Sequence, residues 1–279
     1  MRREMRMAHR LHFRVSGHKD ANAVVLLHGL GLTGDLWWPQ LPAIESDYRV
    51  INIDLPGHGG SPLPGLGATM SDLAADVAEL IAEQAPAGAH IAGISTGAML
   101  AQMLAIEHPR HVLSLALCNT TSSIPETAPQ GEDPALYISR QIVLAAAARA
   151  RLEGMRAIAP IALKRWFRPS FQARDPVSQH RVEAMMLANQ PEGYARVCEA
   201  LAGFHATDRL AAIAAPTLVI AGSDDPGTPL ACSEMIAGRI RGARLVVIPD
   251  SAHIANVERP AAFTAALVDF LQTAVEPMA

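Results

Sequence analysis

His90-Ile91-Ala92-Gly93-Ile94-Ser95-Thr96-Gly97-Ala98-Met99 carries an apolar run into a glycine, sets one serine between two glycines, and continues into a long alanine-rich apolar segment. The pattern reads as strand, sharp turn, helix. A serine on such a turn projects its hydroxyl above the sheet, because the tight backbone lifts the side chain off the strand and demands small neighbours. A Gly-x-Ser-x-Gly string also arises as an ordinary turn. What separates a nucleophile from a turn is whether a base, an acid and an anion hole stand at suitable places in the rest of the chain.

Working outward, Leu11–Val15 alternates apolar and polar residues and ends at Ser16-Gly17-His18, which predicts an antiparallel edge strand. Ala23–Leu27 is a continuous apolar run, as a strand buried on both faces requires, and Tyr48–Ile53 reads as a second buried strand. The first ends in the glycine-rich His28-Gly29-Leu30-Gly31-Leu32-Thr33-Gly34, the second in Asp54-Leu55-Pro56-Gly57-His58-Gly59. Between them Asp35–Ile44 reads as helical, with Trp37 and Trp38 as packing residues. Ser71-Asp72 is expected to cap a helix whose apolar face is Leu73, Val77, Leu80 and Ile81. After Ser95 the helix runs to about Glu107, and Val112–Leu117 is the next strand. Strands alternating with helices at this spacing predict a mostly parallel sheet covered on both faces.

From Thr121 the rhythm changes. The stretch is rich in Pro and Ser and then helical, broken by Pro160, Pro169, Pro176 and Pro191, with no strand pattern. The expected organisation is therefore an α/β core from residues 1–120 and 207–279 with an inserted helical cap at 121–206. Sheet logic resumes at Thr217–Gly222, followed by Asp224-Asp225-Pro226, a helix at Leu230–Ile240, a strand at Arg244–Ile248, His253, and a closing helix at Pro260–Thr273.

Composition narrows the class. Of 279 residues half are hydrophobic and 18% charged, which excludes a disordered chain, and the net charge of −4 offers no basic footprint for nucleic acid. Cys118, Cys198 and Cys232 are few and widely spaced, without metal-finger spacing, which points to a reducing, cytoplasmic setting; Cys118 reads as a packed core thiol. Met1–Arg10 is basic with no apolar segment behind it, and no run is long enough to span a bilayer, so neither secretion nor a membrane partner is expected. A small-molecule partner is expected, with no metal or organic cofactor, because no ligand cluster or dinucleotide fingerprint stands in the sequence. Self-association is left open.

A serine hydroxyl needs a general base within hydrogen-bond reach and a third group that fixes the base's tautomer. Ser95, Asp225 and His253 each follow the end of an expected strand, where ligands gather in parallel sheets, and they occur in the order Ser, Asp, His. Asp225 is preferred to Asp224 because the residue before Pro226 is restricted to an extended conformation that can fix its carboxylate. Asn119, after the earlier strand, lacks the charge to support an imidazolium, and Asp250 is assigned to its own loop. His58 is read as a hydrogen-bonding turn residue. The oxyanion hole should combine the backbone amides of Thr96 and Leu30.

With these residues in place the chain resembles the α/β-hydrolase superfamily, through His28-Gly29, Asp54-Leu55-Pro56-Gly57-His58-Gly59, Gly93–Gly97 and Ala252-His253. Within it, Pro191–Leu201, Pro216–Gly222, Thr228-Pro229 and Ala252–Pro260 are similar to 3-oxoadipate enol-lactonases, and Trp166-Phe167 falls where those enzymes carry an aromatic pair in the cap. The chain departs from many of them at His28-Gly29, Thr96 and Ala98, next to the reacting carbonyl. The resemblance implies a serine hydrolase of a small ester or lactone, with Trp166 at the substrate. A carboxylated substrate would call on a cap cation, for which Arg140, Lys164 and Arg168 are the candidates. Rival readings on the same scaffold are a carbon–carbon-bond hydrolase of ring-cleavage products, an acyltransferase, and a ligand receptor of low turnover.

Overall fold

The three most apolar runs of the sequence become the centre of one seven-stranded sheet. In the computed structural model, which describes residues 11–274, the strands are β1 (Phe13–Gly17), β2 (Ala23–Leu27), β3 (Arg49–Ile53), β4 (Ala89–Ile94), β5 (Val112–Cys118), β6 (Thr217–Gly222) and β7 (Arg244–Ile248). Their order across the sheet is β1-β3-β2-β4-β5-β6-β7, with β1 antiparallel and the rest parallel. Every residue of β2, β4 and β6 is buried, as strands covered on both faces should be. β1 keeps its polar neighbours at the sheet edge. The basic Met1–Arg10 lies outside the described residues.

Register brings the functional loops together. Leu27 pairs with Gly93, Ile94 with Cys118, Cys118 with Ile220, and Gly222 with Ile248, so the carboxyl ends of β2, β4, β5, β6 and β7 lie along one edge of the sheet, staggered by two residues at most. Three amides just past that edge extend it: Ser95 N donates to Cys118 O, Asn119 N to Ile220 O, and Ser223 N to Ile248 O. The chain leaves β2 toward β3 on one side, and β4 lies on the other, which makes the crevice above β2 and β4 the topological switch point of the sheet.

The helix Thr96–Glu107 is buried from Thr96 to Ala105, so its alanines and methionines need no polar face. The helix Met70–Gln84 opens two residues earlier than a cap at Ser71 implies. Thr69 is the cap, accepting from Asp72 N while the Asp72 side chain accepts from Thr69 N, a reciprocal box that satisfies two amides where Ser71 could satisfy one. The expected helix Asp35–Ile44 is instead a 3-10 turn at Gly34–Trp37 and a short helix at Leu41–Ile44, because Pro39 and Pro42 bring no amide to a continuous ladder. Trp37 is fully buried against Phe263.

Between β5 and β6 lie the helices Arg140–Glu153, Met155–Trp166, Pro169–Arg174, Pro176–Ala188 and Pro191–Leu201. Pro169, Pro176 and Pro191 open helices rather than merely interrupt them, since a first-turn residue needs no amide donor. Pro160 sits inside a helix that runs through it. This layer is fastened to the sheet end by backbone and amide bonds: Ile254 N donates to Trp166 O, and Asn189 Nδ2 donates to Gly31 O while its Oδ1 accepts from Gly59 N. Among the described residues no helix is long and apolar enough to cross a membrane.

Candidate active site

Ser95 has φ 56° and ψ −118°, a left-handed backbone state that costs a non-glycine residue on the order of 1–3 kcal/mol. Its neighbours explain how the turn holds. A Cβ on Gly93 would stand 2.4 Å from Gly97 O, and one on Gly97 would stand 2.3 Å from Leu27 O, so both positions exclude any side chain. The turn therefore packs backbone against backbone at both glycines, and Ser95 presents its hydroxyl above it.

The hydroxyl of Ser95 lies 2.8 Å from His253 Nε2, and His253 Nδ1 lies 2.7 Å from Asp225 Oδ2. With Nδ1 donating to the carboxylate, Nε2 presents the lone pair that accepts from Ser95. All three side chains are buried. Asp225 Oδ1 accepts from the backbone amides of Gly227 and Thr228, at 2.9 and 3.0 Å. Its Oδ2 also accepts from Thr228 Oγ1 at 2.7 Å and from Asn119 Nδ2 at 3.2 Å. Burial alone would raise this carboxyl; the adjacent His253 ring and the Thr228 hydrogen bonds outweigh it and hold the group below the usual carboxylate range.

Asp224 takes the opposite direction and pairs with Arg168 at 3.0 Å, so one turn aims the two aspartates to different sides. Asp250 pairs with Arg168 and Arg259, in the manner of a loop residue. Asn119 is not a substitute acid but a donor to the acid: φ 44° turns its amide toward Asp225 and Ala252 O. Neither Thr228 nor Asn119 was read from the sequence as a partner of Asp225. The signal available was local, a threonine three residues after an aspartate and its intervening Pro-Gly turn.

The loop after β2 is held by two histidines. His28 Nε2 accepts from Leu55 N at 2.8 Å and its Nδ1 donates to Gly29 O; His58 Nε2 accepts from Gly31 N at 2.8 Å and its Nδ1 donates to Pro56 O. Both rings must be neutral to accept these amides. Burial, reinforced for His28 by the neighbouring His58, pushes His28 down to about 3, and burial pushes His58 down to about 4. Gly31 N is thus occupied by His58 and Leu32 N by Gly29 O, while the Leu30 amide meets no protein acceptor among the described residues. Thr96 N is the first amide of its helix, where no intrahelical acceptor exists.

A small cavity lies over Ser95, walled by Leu30, Leu32, Leu36, Trp166, His253 and Ile254 among others. Trp166 is one of the lining residues. The three cap cations are elsewhere. Arg140 reaches Ala202 O and Glu126, Arg168 is occupied by Asp224 and Asp250, and Lys164 is exposed; none lines this cavity. For Arg168 the physical reason is plain, since two carboxylates outside the cavity already take its guanidinium.

Comparison with known proteins agrees with this architecture. A family model of the alpha/beta hydrolase fold matches residues 22–260. A 3-oxoadipate enol-lactonase of Acinetobacter baylyi is 32% identical over 257 residues, 92% of this chain and 91% of that one. Among solved structures, the enol-lactonase of Burkholderia xenovorans LB400 is 34% identical with a TM-score of 0.86, covering 94% of this chain and 96% of its own. A thermophilic esterase of Thermogutta terrifontis is 30% identical with a TM-score of 0.85, covering 95% and 94%. The family match spans well over half the chain, and the sheet, the turn at Ser95 and the inserted helices fit it: the chain belongs to the α/β-hydrolase family.

Proposed function

We propose that this chain is a serine hydrolase of a small carboxylic ester or lactone, with Ser95 as nucleophile, His253 as general base and acid, and Asp225 as the carboxylate that fixes and supports the imidazolium. The observation that carries the reading is the continuous relay of 2.8 and 2.7 Å from Ser95 through His253 to Asp225, buried beneath an apolar cavity. The enol-lactonase relatives support a lactone as the natural ester.

In this reading His253 Nε2 takes the Ser95 proton as Oγ attacks the carbonyl carbon. The oxyanion that forms is held by the amides of Leu30 and Thr96, each such donor being worth roughly 2.7–4 kcal/mol in the transition state. Collapse breaks the acyl–oxygen bond, and the proton on His253 passes to the leaving oxygen. With an enol-lactone the leaving group remains tethered as an enol, which becomes a ketone, and ring strain is released without loss of a fragment. Water then enters, His253 removes its proton, and attack on the acyl-enzyme frees the acid and restores Ser95. The apolar walls keep the charge separation in a site of low dielectric, which strengthens both the relay and the oxyanion contacts.

The test is turnover of a panel of small aryl esters and five-membered lactones by the purified chain and by Ser95→Ala, with product identified by mass. Acid as the product, formed by the wild type and lost in the variant, supports the reading; turnover that survives Ser95→Ala contradicts it. Acyl transfer to an added alcohol in preference to water would instead make the chain an acyltransferase.

A further inference from the structure

His253 stands on a loop whose backbone is tied down on both sides of the ring. Ala252 O accepts from Asn119 Nδ2 at 3.1 Å, and Ile254 N donates to Trp166 O at 3.2 Å. The third tie is a carboxylate. Ala252 N donates to Glu258 Oε2 at 2.7 Å, the shortest of the three bonds. Glu258 ends the short helix Ala255–Glu258 that follows the loop, and helical side chains lean toward the N-terminus, which carries the carboxylate back to Ala252.

The other oxygen of Glu258, Oε1, accepts from Arg168 N at 3.2 Å. The side chain is only 2% exposed, and both its oxygens are engaged by backbone amides of two different segments. Burial pushes this carboxyl above its ordinary range, while the bonds from Ala252 and Arg168 and the charges of Arg168 and Arg259 pull it back. Those two arginines form their own ion pairs elsewhere, with Asp224 and Asp250. Two N–H donors that converge on one side chain call for an acceptor at both of its ends. A carboxylate offers that, whereas an amide has an acceptor at one end and donors at the other.

The same two segments meet at a second point. Trp166 O takes the Ile254 amide, and Trp166 and Ile254 both wall the cavity over Ser95. Trp166–Arg168 and Ala252–Ile254 are therefore bridged directly at one end and through Glu258 at the other.

Resting on the ester or lactone hydrolase reading, we propose that Glu258 is a positioning residue for that reaction. Through Ala252 it sets the His253 ring between Ser95 and Asp225, and through Arg168 it holds the Trp166 segment against the same loop. It acts through two backbone amides and touches no reacting atom.

Two variants test this on p-nitrophenyl acetate, with rates taken per Ser95 that a fluorophosphonate labels at completion, so that misfolded chains are not counted. Glu258→Gln keeps the volume but turns an NH2 group toward one of the two amides. Its kcat should fall about ten- to a hundredfold, as for a base misplaced by on the order of 1 Å, with KM within about threefold. Arg168→Pro leaves Glu258 itself unaltered. Arg168 has φ −66° and ψ 146°, and Phe167 before it φ −124° and ψ 142°, which a proline at 168 accepts without backbone strain. Its ring carbon replaces the amide hydrogen, dislodges the carboxylate and should lower kcat at least about fivefold. Arg168→Met, which loses the same guanidinium and keeps the amide, should hold kcat within about threefold. An unchanged kcat in folded Glu258→Gln, a loss confined to KM, or equal rates in Arg168→Pro and Arg168→Met overturns the proposal. If Glu258→Gln does not fold, the comparison at Arg168 decides alone. If the wild type turns over no ester, the hydrolase reading fails separately. Amide hydrogen exchange then decides whether Glu258 sets the loop: the Ala252 and Ile254 amides should exchange at least about tenfold faster in Glu258→Gln, and unaltered rates overturn the proposal.

Discussion

Asp225 and Arg165 are charged groups on either side of Gly227, and the molecule treats them in opposite ways. Asp225, in a loop at the end of the sheet, is surrounded by donors from Gly227, Thr228, Asn119 and His253. Arg165, in the helical layer above, has no carboxylate partner among the described residues. The Asp225 carboxylate is thus satisfied from within the fold. The difference teaches that strand register surrounds one charged group with donors from the fold itself, whereas helix packing leaves the other without an internal carboxylate.

The largest effect should come from the sheet end. Ser95→Ala is expected to lower kcat for any turned-over ester by at least about 10⁴-fold. Thermal unfolding should change little or shift upward, since alanine also removes a buried hydroxyl. A residual rate within tenfold of wild type would break the comparison, because the sheet end would then not hold the chemistry.

Next in size is the contrast between adjacent aspartates. Asp225→Asn should cost about 10⁴-fold in kcat, because the amide leaves His253 in the wrong tautomer and its imidazolium unsupported. Asp224→Asn should cost less than about tenfold, since Asp224 faces Arg168. Steady-state kinetics of the pair sharpens the boundary between the layers; equal losses would show that the turn does not separate them.

A third expectation concerns the loop after β2. His58 and His28 are held neutral by burial at about 4 and about 3, whereas in the unfolded chain both take up a proton near pH 6.5. The unfolded state therefore binds more protons between these values. Their stabilising contribution is full above about pH 6.5 and is lost as pH falls toward 4, on the order of 3 kcal/mol for His58. Denaturant midpoints between pH 7 and 4.5 should show this slope, and His58→Gln, which still offers Gly31 an acceptor but does not titrate, should flatten it. An identical slope in the variant would remove His58 from the account.

The smallest effect belongs to the fastening between the layers. Arg168→Met removes ion pairs with partly exposed partners, each worth at most about 1 kcal/mol, while the Arg168 amide still donates to Glu258. A fall in Tm of about 2–4 °C, less marked in high salt, with kcat/KM changed under threefold, fits a fastening role. An unaltered Tm, or a kcat/KM lowered by more than about tenfold, would contradict that role.

How much of this could be read from the chain follows the same division. The strands, their parallel order and the convergence of Ser95, His253 and Asp225 follow from short-range rules. Continuous apolar runs make buried strands, and a serine between Gly93 and Gly97 can only sit on a turn where two backbones touch. Local competition was harder to see, as at Thr69, where a reciprocal cap with Asp72 wins over Ser71. In the helical layer the cations could be counted but not aimed. Lys164, Arg165 and Arg168 lie within five residues of one another, and which of them faces inward depends on helix phase and on carboxylates as remote in sequence as Asp224 and Asp250. Helical periodicity alone does not contain those partners.

The measurement that bears most directly on the central claim is covalent labelling. The wild-type chain is treated with an alkyl fluorophosphonate, digested and sequenced by tandem mass spectrometry. One adduct is expected, on the peptide that contains Ser95, formed in parallel with loss of ester turnover and absent from Ser95→Ala. Full inactivation with the adduct on another residue, or turnover that persists while Ser95 is fully labelled, would contradict the account.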